Sequence, residues 1–337
     1  MSAALSAPAV SVVICTFNRL TLLKAAVESC LRDGTRRGTP FEIVIADNSP
    51  SGHAADYAAG LVAEGHPVRW VPASPPNISR ARNAGLKAAA APLVAFLDDD
   101  LEVEPGWLDH LVETLEKTGA DVAISPVRPR FASGQAPDWD PEGAAFTRVL
   151  PFPSGTPVPA SGPGRHKGFA VSTASSLWRR ETCFTEAEPF DPAFGASGGE
   201  DLDLFLRLER RGCRFVWCAE AGVWEAIPAS RMAVSYQIMR AYSGGQVFVA
   251  TSLHNGDGRV GAAASMMSKG AAQLVFGAAA VLLAGAAAPL TGVAGRRRLV
   301  RHLLRAAAAA GKLTWWRKLA LYHVEKPPTV EAAAKQK

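Results

Sequence analysis

Short apolar runs rich in β-branched residues, at 10–15, 42–46, 68–71 and 93–97, alternate with stretches of helical composition. That alternation constrains the fold more than any other feature of the chain. Strands apolar on both faces must be covered on both, and strand–helix repetition supplies that cover in a mostly parallel α/β sheet. Helices are expected over 21–32, 54–64, 79–90 and from Pro105 to about Lys117. The last has Pro in its first turn and Gly119 past its end. A strand at 121–125 closes the series. Residues 126–168 then turn to Pro, Gly and Ser, the composition of either a disordered loop or a functional lid. Regular structure is predicted to resume with a strand over 169–178, a helix over 201–211 capped by Gly212, and a strand at 214–218.

The chain of 337 residues can bury a large core without disulfides or a structural metal. With 20% charged residues and a mean hydropathy of +0.06, general disorder and a multi-span membrane protein are both excluded. The five cysteines, at 15, 30, 183, 213 and 218, contain no CxxC pair, which argues against a disulfide framework or a zinc ribbon. No signal-peptide pattern opens the sequence, so a cytoplasmic main domain is expected. The net charge of +5 is unevenly spread. Residues 1–260 carry 24 basic against 29 acidic side chains (−5), whereas 261–337 carry 12 against 2 (+10). The basic residues adjoin an apolar, Ala-rich stretch rather than aromatic or polar readers. That combination suits an anionic membrane surface and not a nucleic acid.

Candidate chemistry begins with Asp98-Asp99-Asp100, directly after an apolar strand and therefore at its C-terminal end, where open α/β sheets bind ligands. Three adjacent carboxylates repel one another, and a hard divalent cation bridging to a diphosphate would relieve the repulsion. An acidic turn capping the next helix would give the same run. Glu200-Asp201 follows two glycines at the start of an amphipathic helix, in the manner of a helix cap or of a catalytic base approached closely by a ligand. Thr16-Phe17-Asn18-Arg19 and Asp47-Asn48-Ser49 end the first two strands, and Asn77 to Asn83 opens a helix with Arg80 and Arg82. Polar strand ends and a helix N-terminus suit a nucleotide diphosphate, although each taken singly reads first as turn chemistry or surface solvation.

Taken in order, SVVICTFNR, EIVIADNS, ISRARNAGLKAA, PLVAFLDDDLEVEPGWL and GGEDLDLFLRLERRG resemble the family-2 inverting glycosyltransferases over about residues 9–245. IPASRM at 227–232 and the following RAYSGGQ resemble the bacterial exopolysaccharide transferases of succinoglycan-biosynthesis type. The resemblance implies a GT-A fold, Rossmann-like with a mostly parallel central sheet and flanking helices. It also implies Mg²⁺ or Mn²⁺, a nucleotide-diphosphate sugar donor (a UDP-sugar before others) and a lipid-linked or oligosaccharide acceptor. Thr16, Asn18 and Asp47 match positions that hold base and ribose, and Arg80 and Arg82 a segment lining the donor pocket. Asp98 and Asp100 match the outer aspartates of the Asp-x-Asp motif, with Asp100 the preferred metal ligand and Asp98 or Asp99 near the ribose. Asp201 matches the general base and Glu200 its orienting neighbour. Where many relatives carry a metal-binding histidine, this sequence has Glu225, a carboxylate also able to ligate the ion.

Alternative activities lack their signatures. A sugar-phosphate nucleotidyltransferase calls for a Gly-rich loop after the first strand, and CTFNR contains no glycine; a dinucleotide oxidoreductase calls for GxGxxG. A GT-A-fold membrane scaffold that has lost activity is opposed by intact Asp98, Asp100 and Asp201. The 26 uncharged residues between Lys269 and Arg296 are long enough to cross a bilayer, but Ala, Gly and Pro289 interrupt them. An interfacial or re-entrant helix, then a basic amphipathic helix and the Trp315-Trp316 anchor, is expected over 261–325, with a frayed tail at 326–337. An Ala-rich helical pair packed on the enzyme is the competing reading. The membrane reading places the protein on the cytoplasmic face of the inner (plasma) membrane, as a peripheral or monotopic protein.

Overall fold

The structure, a computed structural model, describes residues 7–166, 168–256 and 259–319; the expected frayed tail and residues 320–325 lie outside them. Strand β1 (Val10–Thr16) is buried on both faces, as its unbroken apolar run requires. It pairs in parallel with β2 (Phe41–Asp47) on one side and β4 (Leu93–Asp98) on the other, and β3 (Val68–Pro72) extends the sheet beyond β2. The connecting helices are α1 (Leu20–Asp33), α2 (Ala55–Ala63) and α3 (Ile78–Ala88). The full seven-stranded order is β3-β2-β1-β4-β8-β6-β9, completed by β6 (Val122–Ile124), β8 (Ser175–Arg179) and β9 (Phe215–Trp217), with β8 antiparallel to both its neighbours. The chain winds outward from β1 to β3 and then returns to the other side of β1. The ends of β1 and β4 therefore form the topological switch point, where a ligand crevice opens.

Side-chain parity along β1 assigns the two cores. Val10, Val12 and Ile14 pack with Leu23 and Val27 of α1, Leu61 of α2 and Trp107, Leu111 and Leu115 of α4 (Trp107–Thr118). Val13 faces the other way, toward Leu86 of α3 and Leu204, Phe205 and Leu208 of α6 (Glu200–Arg210). On this face Gly85 of α3 lies so close to β1 that a Cβ there would sit 2.4 Å from Val13 Cγ1. Helix α4 begins at Trp107, later than expected from Pro105, because Gly106 takes a left-handed φ of 82° just ahead of it; Gly119 closes the helix as expected.

A second, three-stranded sheet has the order β5-β10-β7, from Leu101–Val103, Val223–Ile227 and Val127–Phe131. The start of the Pro/Gly/Ser-rich segment is thus a strand and not a loop. Its remainder runs irregularly but buries Phe146, Leu150 and Val158 and makes bridges at Arg148 and Pro157. The strand expected over 169–178 forms only as β8, since Ser172 and Thr173 turn instead toward α6. A short helix α5 (Arg180–Cys183) follows β8, and α7 (Ala229–Met232) links β10 to α8 (Val234–Asn255). Helix α9 (Arg259–Lys312) is broken at Gly292, whose φ of 55° and ψ of −132° are not helical. It doubles back there as a hairpin. Its second arm packs on α8, where Gly311 meets the Tyr242 carbonyl and Gly245 the Ala308 carbonyl, approaches that leave no room for a Cβ. The first arm packs on the second, and its other side is exposed. The second arm is thus packed on the enzyme, as the helical-pair reading expects.

Candidate active site

The crevice between the ends of β1 and β4 is a cleft of about 750 Å³. Thr16, Asn18 and Arg19 line one wall, Asp98, Asp99 and Asp100 the floor, and Glu200 and Asp201 the opposite wall. Parallel pairing of Cys15 with Asp98 sets the first wall against the floor. There the Thr16 hydroxyl donates to Asp99 Oδ2 at 2.8 Å, and Arg19 reaches Asp99 and Asp100, each at 3.1 Å. Burial pushes the Asp99 carboxyl up to about 7, even with Arg19 beside it. Asn18 adopts a left-handed φ of 52°, which asparagine tolerates better than most residues and which turns the chain sharply out of β1.

Arg82 is the hub of the opposite side. Its buried guanidinium donates to Glu200 and, at 2.7 Å, to Asp201, and lies 3.7 Å from Asp98. Burial opposes its charge, but Asp201, Glu200 and Asp98 hold its pKa well above the usual arginine value. Asp201 also accepts from the Ser172 hydroxyl (3.2 Å), the Thr173 N–H (3.1 Å) and the Thr173 hydroxyl (3.0 Å), yet 19% of its side chain stays open to the cleft. Glu200 is buried with Oε2 unpartnered, and burial, followed by the Asp201 charge, pushes its carboxyl up to about 7. Removing Arg82 would leave a buried carboxylate uncompensated, a loss of about 3–5 kcal/mol.

The small sheet supplies the third side. Register pairs Glu225 of β10 with Leu101 of β5, and the Ala226 N–H donates to the Asp100 carbonyl at 2.9 Å. Arg231 of α7 then bridges Asp100 (3.0 Å) and Glu225 (3.2 Å), while Arg148 takes the other Glu225 oxygen at 3.1 Å. Among the described residues no three His, Cys, Asp or Glu side chains are gathered as a metal shell. The donor set nonetheless fits Mg²⁺ or Mn²⁺, which bind through one or two carboxylates plus substrate phosphates. Asp98 is 42% exposed and lines the cleft, and Asp100 follows two residues on. Glu225 fits less well, because arginines engage both its oxygens.

Most of the residues singled out from sequence therefore meet here, with two exceptions. Asp47 is fully buried beneath the end of β2 and does not line the cleft. Burial works against its charge, but hydrogen bonds from Ser49, the Ala54 N–H and the Trp70 indole hold its carboxyl below the usual range. Its neighbour Asn48 lines the cleft instead. Arg80 is exposed and off the cleft, and Arg82 enters it facing the acidic pair. Sequence reasoning missed Arg148, the Ser172-Thr173 pair and the role of Arg231. Only the IPASRM run gave any signal for the last.

A switch-point crevice with an aspartate run on its floor and an acidic pair at a helix start across from it defines a glycosyltransferase of GT-A type. Residues 11–161 match the description Glycosyl transferase family 2. The chain is 31% identical to the succinoglycan biosynthesis protein ExoM of Rhizobium meliloti (strain 1021) over 234 residues, 69% of this chain and 72% of the relative. The protein belongs to glycosyl transferase family 2. It is also 27% identical to the O-antigen biosynthesis protein RfbC of Myxococcus xanthus, over 67% of this chain but only 18% of that larger protein. In fold it is similar to S. aureus TarS 1-349 in complex with UDP, with a TM-score of 0.51, 12% identity, and coverage of 88% of this chain and 89% of that one.

Proposed function

We propose that this glycosyltransferase moves a sugar from a nucleotide-diphosphate donor to a hydroxyl of a lipid-linked or growing exopolysaccharide glycan, with inversion in a single displacement. The observation that carries the reading is the Asp201 carboxylate, held on four hydrogen bonds and still open to the cleft across from Asp98. Asp201 removes the acceptor hydroxyl proton as that oxygen attacks the anomeric carbon; the bond from that carbon to the diphosphate breaks, and the nucleoside diphosphate leaves. Arg82 holds Asp201 in place, and its cation offsets the neighbouring Glu200. Arg19 and Arg231, already beside Asp100, stand where charge on a departing diphosphate would need offsetting. Asp98 and Asp100 would hold Mg²⁺ or Mn²⁺, which as a Lewis acid lowers the cost of the leaving group's charge.

The part of the Rhizobium relative in succinoglycan biosynthesis supports an exopolysaccharide acceptor, and the UDP of the staphylococcal neighbour supports a uridine donor. The reading assigns catalysis to residues 9–245 and membrane association, at the cytoplasmic face, to 261–325. Its test is release of nucleoside diphosphate from a panel of UDP-, GDP-, ADP- and dTDP-sugars, with and without chelator. Turnover of one donor that stops in chelator is expected. Turnover of none would defeat the reading, and full activity in chelator would remove the metal from it.

A further inference from the structure

The α9 hairpin determines how a membrane could be met. Its arms run antiparallel through small residues: Gly277 lies against Ala306, Gly270 against Ala309 and Lys312, and Gly285 against Leu299. Glycines allow this close approach, and they fix which side of the first arm faces inward. The opposite side is an unbroken apolar stripe, with Val275 68%, Phe276 77%, Leu282 74% and Leu283 74% exposed. The helix over Gly261–Pro289 is long and apolar enough to cross a membrane, and no residue of its most apolar stretch is fully buried in the protein. The second arm is polar by comparison, with Arg296, Arg298, Arg301 and Arg305 all exposed.

Two further observations decide the orientation. The turn of the hairpin carries Arg296, Arg297 and Arg298, so entering the bilayer turn-first would drag three cations through hydrocarbon. That end is also tied to the catalytic domain, where Arg297 Nε donates to the Asp138 carbonyl at 3.4 Å. At its far end the second arm is held to α8: Tyr242 and Thr314 share a hydrogen bond of 2.6 Å, and Gln246 donates to the Arg317 carbonyl at 2.7 Å. Helix α8, the second arm and the first arm thus stack in that order, with the first arm outermost.

We infer that the first arm lies in the plane of an anionic lipid leaflet without spanning it. Its Val275–Phe276 and Leu282–Leu283 stripe sinks into the acyl boundary, and the exposed arginines of the second arm meet lipid phosphates. A stripe on one side of a helix beside a row of cations is the pattern of an in-plane anchor, whereas a span would be apolar all round. Because Tyr236 and Arg240 of α8 line the catalytic cleft, an anchor built on α8 fixes the cleft at the lipid surface. The inference rests on the membrane association proposed above and on no assumption about the donor.

The experiment binds the full chain to preformed vesicles of phosphatidylcholine with phosphatidylglycerol. It then labels A264C, L283C and A294C variants from outside with a membrane-impermeant maleimide, and peptide mass spectrometry separates these sites from the five native thiols. Position 294 should label equally with and without vesicles, whereas position 264, about five turns before Leu282 on the same side of the helix, should slow together with position 283. Position 283 should label at least about 10-fold more slowly on vesicles than in solution, as expected of an interfacially buried face. Protection at 294 with labelling at 264 would show a true span and overturn the in-plane geometry alone. Protection of 283 that grows with protein concentration in the absence of lipid would assign the stripe to a second copy of the chain. Failure of the wild type to float with these vesicles would defeat membrane association itself, while leaving donor turnover intact.

Discussion

At the scale of single residues, the acidic groups of the cleft divide by what surrounds them. Asp201 is open to the cleft on one side and oriented by donors on the other; Glu200 is sealed in and half-partnered. Asp201→Asn should lower turnover at least about 10²-fold while leaving donor affinity nearly unchanged, because the proton acceptor is lost and the residues expected to hold the donor remain. Asp100→Ala should instead weaken metal-dependent donor binding, and calorimetry of both variants separates the two roles. Glu200 makes a different prediction. Its carboxyl is raised from 4.5 to about 7 in the folded state, by burial and then by Asp201. Between these pH values the native protein holds a proton that the unfolded chain has released, so stability falls as pH rises through the window. Asp99, raised to about 7 chiefly by burial, acts in the same direction. Melting temperatures from pH 4.5 to 7 should decline less steeply in Glu200→Gln than in the wild type, and equal slopes would show that Glu200 is not the group that titrates.

At the scale of elements, the site depends on how closely α3 approaches β1. Helix α3 carries Arg82 into the cleft from one side and meets the sheet through Gly85 on another. A methyl group at 85 would overlap Val13, forcing α3 off β1 or Val13 out of its rotamer. Gly85→Ala should cost about 1–3 kcal/mol by overpacking. It should also reduce turnover through displacement of Arg82, as denaturant melts and kinetics on one preparation would show. The small sheet plays a comparable part for Glu225 and Arg231. Its β10 strand is antiparallel to β5 and parallel to β7, so residues 101, 129 and 225 stand side by side although more than 90 positions separate the last two. No local periodicity announces such a pairing. It explains why motif position identified Glu225, while Arg148 left no local sign and Arg231 only the IPASRM run.

At the scale of the whole molecule, a catalytic domain of net negative charge is joined to a basic helical hairpin, and the proposed membrane association has charge and apolar burial acting together. Replacing Arg296, Arg297, Arg298, Arg301 and Arg305 by Gln should weaken binding to anionic vesicles, at about 1 kcal/mol for each cation near the surface. Binding to neutral vesicles should change little, and co-sedimentation on both compositions gives the comparison. Binding that ignores lipid charge in both proteins would leave apolar insertion as the sole attraction.

The α/β alternation, the aspartate run at the end of β4, the acidic pair opening α6 and the uneven charge all follow from local sequence. Each is set by contacts within a few residues: strands apolar on both faces, a carboxylate at a helix start, cations clustered in one segment. The tertiary structure decided which of these meet. Placement of β1 between β2 and β4 set Thr16 and Arg19 against Asp99, while it left Asp47 sealed under β2 and Arg80 outside the cleft. Arg82 faces three carboxylates, two of them more than 110 positions away, and Arg231 reaches Asp100 from 131 positions away. Hydrophobic period records whether a residue is buried, whereas these ion pairs depend on which strands are neighbours, a property of topology that no short window of sequence contains.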